Sequence, residues 1–478
     1  MRSRTIFAGL IIATCIPVGA LWFIGSRPPS GPRVDYPAEL ERITREAQGA
    51  DADAPNGWEA LERAVGLSHA TIAALVQREL EADEDLLLSG QEPERWCKDA
   101  YFLYDRRYDA APRDVRLREA FWASFDATGV VEALAETRAY PVFVRGWDDR
   151  TAVTMAREWA DPDAFAPYVD RVGPIREMAM VLAEAALRSA EDGEWDTALA
   201  RIDDGCFVSR AMTAQVSPVD FLVGIALRAR MYSACIQILA TVDDAPESFL
   251  AGIESVLVSA GPVDVGPVID GQRLELLECS EAMYEFMRHH FVGSVRLALW
   301  SVVGERAAHR STIEAGAARA RAMMDLGLRD AEAQKAIWDA EFDESSSGWG
   351  ELLEWQMHTL GGIVASSKRL PREATVVEIV VALRRFQARH GRLPDSLDEL
   401  VPEFLATAPV DPYAPDGRFR YISGPTMAEV VLYSVGRDGE DHGGERGESR
   451  FEGKRFVSEP GDDVFVGPSV WAIVPNRW

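Results

Sequence analysis

The chain has 478 residues, 50 Lys or Arg against 77 Asp or Glu, a formal net charge of -27 and an isoelectric point near 4.7. That balance excludes charge-driven binding to nucleic acid or to anionic lipid, and it serves solubility. Five cysteines in a chain of this length are too few for a disulfide framework.

The first element is apolar. Met1-Arg2-Ser3-Arg4 precedes Thr5 to Ser26, 22 residues without a charge, and Arg27-Pro28-Pro29 follows. At 1.5 Å per residue this stretch crosses a hydrocarbon core about 30 Å thick. Residues 1–26 are therefore expected to form a transmembrane anchor, with a cleaved signal peptide and a lipid-modified Cys15 as the alternatives. Leu21-Trp22-Phe23-Ile24 runs past the usual end of a signal-peptide core, which favours the anchor. A four-residue tail seldom translocates ahead of a large domain, so the body is expected outside the cytoplasm. The expectation is a single-pass protein of the inner membrane.

Residues 27–57 read as a linker, opening on Pro and Gly and closing on Asp51-Ala52-Asp53-Ala54-Pro55-Asn56-Gly57, with room for one short helix around Leu40 and Ile43. Residues 58–372 read as an α-helical domain. Leu61, Val65, Ile72, Leu75, Val76 and Leu80 form one apolar series, and Leu117, Phe121, Phe125, Val131 and Leu134 another. Further on, Met178, Val181, Leu182, Ala185 and Ala186 lead to Asp192-Gly193-Glu194-Trp195, after which Ala198, Leu199 and Ile202 restart the pattern. Over Val181 to Ile202 this resembles one tetratricopeptide-type hairpin, although no repeat of about 34 residues recurs. A second hairpin is expected to join Ile313–Met324 to Ala331–Phe342 across Gly327. Gly261, Pro262, Gly266, Pro267 and Gly271 predict a longer loop between. The outcome is a helical bundle or an irregular α-solenoid. Cys206 and Cys235, on consecutive predicted helices, are either buried free thiols or the first choice for one disulfide.

Residues 373–478 change character. Val376, Val380, Leu383 and Phe386 recur at helical spacing, with Arg384, Arg385 and Arg389 toward the helix end, where cations complement its dipole. Gly391 supplies a left-handed stop and Pro394 forbids continuation. A second short helix is expected from Asp395 or Ser396 through Leu397, Leu400 and Phe404, then turns at Asp411-Pro412 and Asp416-Gly417. Phe419 and Tyr421, then Val431, Tyr433 and Val435, alternate as strands of an antiparallel sheet.

The run His390-Gly391-Arg392-Leu393-Pro394, Asp411-Pro412-Tyr413 and Tyr433-Ser434-Val435-Gly436-Arg437-Asp438-Gly439 resembles the soluble head of the major pseudopilins of type II secretion, the protein G family. The resemblance implies a separable α+β head behind a mainly α body. The family's N-terminal processing signal is missing from this chain. Heads of that family commonly hold calcium in an acidic loop, and the resemblance places Asp438 in it. Asp441 lies in the same glycine-rich turn, and Gly461-Asp462-Asp463 adds two carboxylates after an insertion carrying Arg446, Arg450, Lys454 and Arg455. Calcium takes six to eight oxygens from a loop able to wrap it. Asp438, Asp441, Asp462 and Asp463 are the expected ligands, with a solvated acidic turn as the alternative.

No H-E-x-x-H, G-x-S-x-G, P-loop or G-x-G-x-x-G signature occurs. His289-His290 point about 100° apart on a helix and make a poor chelate. Asp203-Asp204 and Asp148-Asp149 read as solvated turns, Asp343 to Gly348 as a flexible connection, and Trp338, Trp349 and Trp355 as core anchors. Two functions compete. One is a noncatalytic scaffold or binding protein with protein partners in a secretion or surface-filament system. The other is an extracytoplasmic enzyme whose site is scattered along the sequence.

Overall fold

A computed structural model describes residues 35–51, 53–82, 112–145, 166–290, 305–342, 349–445, 449–452, 455–458, 461 and 463–467. The expected anchor at 1–26, Asp148-Asp149, Asp343 to Gly348 and Asp462 lie outside the described residues. The described chain is mainly helical, with a small antiparallel sheet near its end.

Helices α1 (Tyr36–Ala47), α2 (Trp58–Ala82), α3 (Pro112–Ser124), α4 (Val130–Thr137) and α5 (Ala166–Glu191) lead to α6 (Trp195–Thr213) and α7 (Pro218–Thr241). They are followed by α8 (Glu247–Ala260), α9 (Gly266–His290), α10 (Glu305–Met324), α11 (Leu328–Phe342), α12 (Trp349–Ser367) and α13 (Leu370–His390). Capping accounts for α1, which falls in the stretch read as a linker: the Asp35 carboxylate accepts from the Ala38 amide at 3.2 Å and Pro37 occupies the first turn. Two side chains tie that stretch down. The Gln48 side chain exchanges two hydrogen bonds with the Phe143 backbone, and Asn56 does the same with Val144.

The hairpin expected at Asp192-Gly193 joins α5 to α6, with Gly193 at φ 77°, where a side chain would be strained. A second connection across Gly327 joins α10 to α11. The longer loop expected over 261–271 shrinks to five residues, 261–265, because α9 already starts at Gly266. Pro267 sits in its first turn, where a missing N–H costs nothing, and the Asp264 carboxylate accepts from the Gly266 amide at 2.9 Å.

The centre of the molecule is α7. It packs against α5, α6, α9, α12 and α13, and most of its apolar residues are buried. By composition it is the one described helix long and apolar enough to cross a bilayer, yet it is the core of this fold. Its contact with α6 is unusually close. A Cβ on Gly224 would lie 2.6 Å from the Thr213 backbone nitrogen, and the Ser209 hydroxyl donates to the Gly224 carbonyl at 2.7 Å. Cys206 and Cys235 on these helices are buried free thiols, so the disulfide alternative is not realised; burial pushes the Cys206 thiol up to about 12.

Next to α7 lies α13, in which Val376, Val377, Ile379, Val380, Val381, Ala382 and Leu383 are all buried. Gly391 ends it at φ 69°, the expected left-handed stop. The expected second helix is only a 3-10 turn, Leu397–Leu400, after which Phe404 folds back onto Phe386 with ring centroids 5.6 Å apart. Strands β1 (Arg420–Ile422), β2 (Val431–Ser434) and β5 (Asp463–Val466) form the sheet in the order β1-β2-β5, both pairs antiparallel. The insertion read between the acidic segments contributes a separate hairpin of β3 (Ser449–Glu452) and β4 (Arg455–Ser458). Both faces of β2 are covered. Leu432 joins the main core with Val466, while Val435, just past the strand, packs with Tyr413, Ala414 and Leu328 of α11. The boundary expected at 372/373 falls inside the first turn of α13, and α13 shares one continuous apolar core with α5 to α8.

Candidate functional site: turn motifs and a charged joint

The turn residues that stand out in sequence meet in space. The Asp411 amide donates to the Gly417 carbonyl at 3.0 Å, closing the turn that Asp416-Gly417 begins. Asp411 Oδ1 accepts from the Tyr413 amide at 3.0 Å and from the Ser434 hydroxyl at 2.9 Å, while the Gly436 amide donates to that hydroxyl oxygen at 3.3 Å. Asp411 is 1% exposed, its Oδ2 has no hydrogen-bond partner, and burial pushes its carboxyl above the usual range. Gly436 adopts φ 72°, and a Cβ there would sit 2.7 Å from the Gly461 carbonyl oxygen. Glycine is required at that position on both counts.

Beyond Gly436 the acidic loop is satisfied from within. Asp438 Oδ1 accepts from the Glu440 amide, and Oδ2 pairs with His442 Nε2, each at 3.0 Å. Asp441 Oδ1 accepts from the Tyr433 hydroxyl at 2.9 Å and the Gly443 amide at 3.0 Å, and Oδ2 accepts from Arg420 Nε at 2.9 Å. Against the upward push of burial, the Gly443 amide, Arg420 and Tyr433 together hold the Asp441 carboxyl below its ordinary value. Asp463, on β5, turns elsewhere and accepts from Arg372 Nη1 at 2.6 Å. Of the four expected calcium ligands, Asp438 and Asp441 share one loop, Asp463 faces α13, and Asp462 lies outside the described residues. Among the described residues no group of three His, Cys, Asp or Glu is arranged to hold a metal ion. Arg420, His442 and Arg372 are the partners these carboxylates have in this structure.

A second charged cluster joins the sheet to the helices. On α11, Glu332 Oε1 accepts from Arg369 Nε at 2.8 Å, and Oε2 lies 3.0 Å from Arg437 Nε. Arg372 is buried, with its guanidinium 5.0 Å above the Tyr413 ring and 5.1 Å above that of Phe465. Beside it Glu373 is pushed up by burial, and its Oε2 has no hydrogen-bond partner. Sequence reasoning missed this cluster, because Arg369 and Arg372 were read as the tail of the helical body. Their i,i+3 spacing at the start of an apolar helix is the signal that places them on one face.

Asp203 and Asp204 are not turn residues. They lie within α6, where Arg138 at the end of α4 pairs with Asp203 at 2.9 Å and Asp204 at 2.8 Å. Trp338 is a buried anchor, with the Arg319 guanidinium 4.8 Å above its ring. No family model matches this chain, and no match was found among curated proteins or among solved structures.

Proposed function

We propose that the chain is a membrane-anchored extracytoplasmic scaffold, whose helical body presents a pseudopilin-like module to a protein partner in a secretion or surface-filament system. The observation that carries this reading is the convergence of Asp411, Tyr413, Ser434 and Gly436 in one hydrogen-bonded unit at the foot of a long apolar helix. These are the residues on which the pseudopilin resemblance rests. The uncharged segment Thr5 to Ser26 supplies the anchor, and the net charge of -27 suits a soluble body that avoids anionic lipid.

Two measurements test the reading. Protease added to spheroplasts should digest the body beyond about residue 33 and leave the N-terminal peptide with the membrane. Full protection of the body would refute the topology. Affinity capture from detergent-solubilised membranes should recover components of a secretion or filament apparatus, and the recovery should fall when Arg437 and Arg418, exposed beside the two turns, are replaced by Ala. Capture of none of them would remove the scaffold reading.

A further inference from the structure

Arg228 of α7 is 2% exposed, and its polar partners are all uncharged. Its Nε donates to the Ser209 hydroxyl at 3.3 Å, its Nη1 to the Gly261 carbonyl at 2.8 Å, and Tyr232 lies beside it. The other described buried arginines differ: Arg372 faces Asp463 at 2.6 Å and Arg384 faces Asp243 at 3.5 Å. A buried guanidinium without a carboxylate is costly, because desolvation is not offset by an opposite charge. Burial accordingly pushes Arg228 below the usual arginine range, with the neighbouring Arg210 adding to the effect.

Arg228 does not end in solid core. It lines a cavity of about 430 Å³ between α7, the 261–265 connection, α10, α12 and the start of α13. A second cation, Lys368, lines the same cavity, and its Nζ donates to the Met324 carbonyl at 2.7 Å. Two cations thus share one cavity with neutral partners in a chain of net charge -27. Among the described wall residues the one acid, Asp264, has its Oδ1 engaged by the Gly266 amide. The remaining wall is largely apolar, with Leu257, Val263, Val364, Leu370 and Pro371 among its residues. The volume falls within the range of small-molecule sites, and few convergent polar groups on apolar walls are how such sites are built.

We propose that this cavity binds a small organic anion, a carboxylate carrying an apolar body, with the carboxylate between Arg228 and Lys368. Arginine is the side chain best shaped for a carboxylate, through parallel N–H donors. The apolar body would lie along the α12 and α13 side, where the helical part meets the turn module. This site is independent of the scaffold reading and of the acidic loop.

Calorimetric titration of the purified full chain in nonionic detergent tests it, with 3-phenylpropionate, its neutral amide and inorganic phosphate as the probes. The expected result is saturable one-site binding of 3-phenylpropionate, with the amide and phosphate each weaker by tenfold or more. Lys368→Met and Arg228→Met should each lower the carboxylate's affinity at least tenfold. Arg228→Met should keep the native helical circular dichroism, since the charge it removes has no acid to leave behind. Equal binding of carboxylate and amide, equal binding of phosphate, or wild-type affinity in Lys368→Met would overturn the proposal. Absence of saturable binding by 3-phenylpropionate would overturn it as well. If Arg228→Met does not fold, Lys368→Met alone decides.

Discussion

Arg384 Nη2 donates to the carbonyl of Val242 at 2.7 Å, across 142 residues of sequence, and its Nε donates to the carbonyl of Leu239. Leu239 lies in the last turn of α7 and Val242 caps it, where backbone carbonyls have no partner within the helix. Arg384 was expected to complement the C-terminal dipole of α13; it serves the end of α7 instead. Arg385 likewise reaches away from its own helix, to Glu247 and Glu254 of α8 at 2.6 Å each. Replacing Arg384 by Met strips a buried helix end of its donors, so stability should fall by about 1–3 kcal/mol. Urea unfolding measures this, and a loss below about 0.5 kcal/mol would show that the cap is not needed.

Close approach of α6 and α7 gives a second prediction. Gly224→Ala places a methyl group against the Thr213 backbone, which has no flexible end to swing aside. The helices must separate, at a cost of about 1–3 kcal/mol. Gly205→Ala instead meets the Met231 side chain, which is adaptable, so its loss should be the smaller of the two. Thermal melts of the two variants side by side check the order.

Stability should also depend on pH through Glu275 in α9. Burial first, then the nearby Glu278 and Asp220, push its carboxyl from 4.5 up to about 7. The folded state therefore holds this proton more tightly than the unfolded chain does. Its stabilising contribution is complete below about pH 4.5 and is lost as pH rises through 7, on the order of 3 kcal/mol in all. Glu275→Gln should remove that part of the slope and make the protein more stable than wild type at about pH 8. An unchanged slope between pH 5 and 7 would exclude Glu275 as its source.

The acidic loop makes a testable claim about calcium. Since Asp438 pairs with His442 and Asp441 with Arg420, chelator should leave the melting temperature of the full chain unchanged. A rise with calcium that Asp438→Ala abolishes would mean that the loop reorganises around the ion, with a gain of RT ln(1 + [L]/Kd), about 2.7 kcal/mol at a hundredfold excess over Kd.

Much of the fold was legible because it is local. The Gly193 turn, the Gly391 stop, the Asp416-Gly417 turn and the β1 and β2 strands follow from residues within a few positions of each other. The misreadings share one cause, which is that partners distant in sequence are invisible in it. Asp203 and Asp204 looked like a solvated turn because Arg138 is far upstream, and the 261–271 stretch looked like loop although Gly271 packs against Val216 in a helix. The role of α7 was hidden for the opposite reason, since an apolar run reads the same whether it is a peripheral helix or the axis of the core.

The packing of α13 against α7 and α8 has a consequence for biosynthesis. The helix that completes the contact with α7 and α8 is the last of the described helices to be made, long after α7 itself. Until it arrives, the flank of α7 that it covers stays open to water and to other chains. A product stopped before residue 370 would keep that surface exposed permanently. The segment thus doubles as a check on translation: only a chain extended past α13 hides the surface that chaperones and proteases recognise.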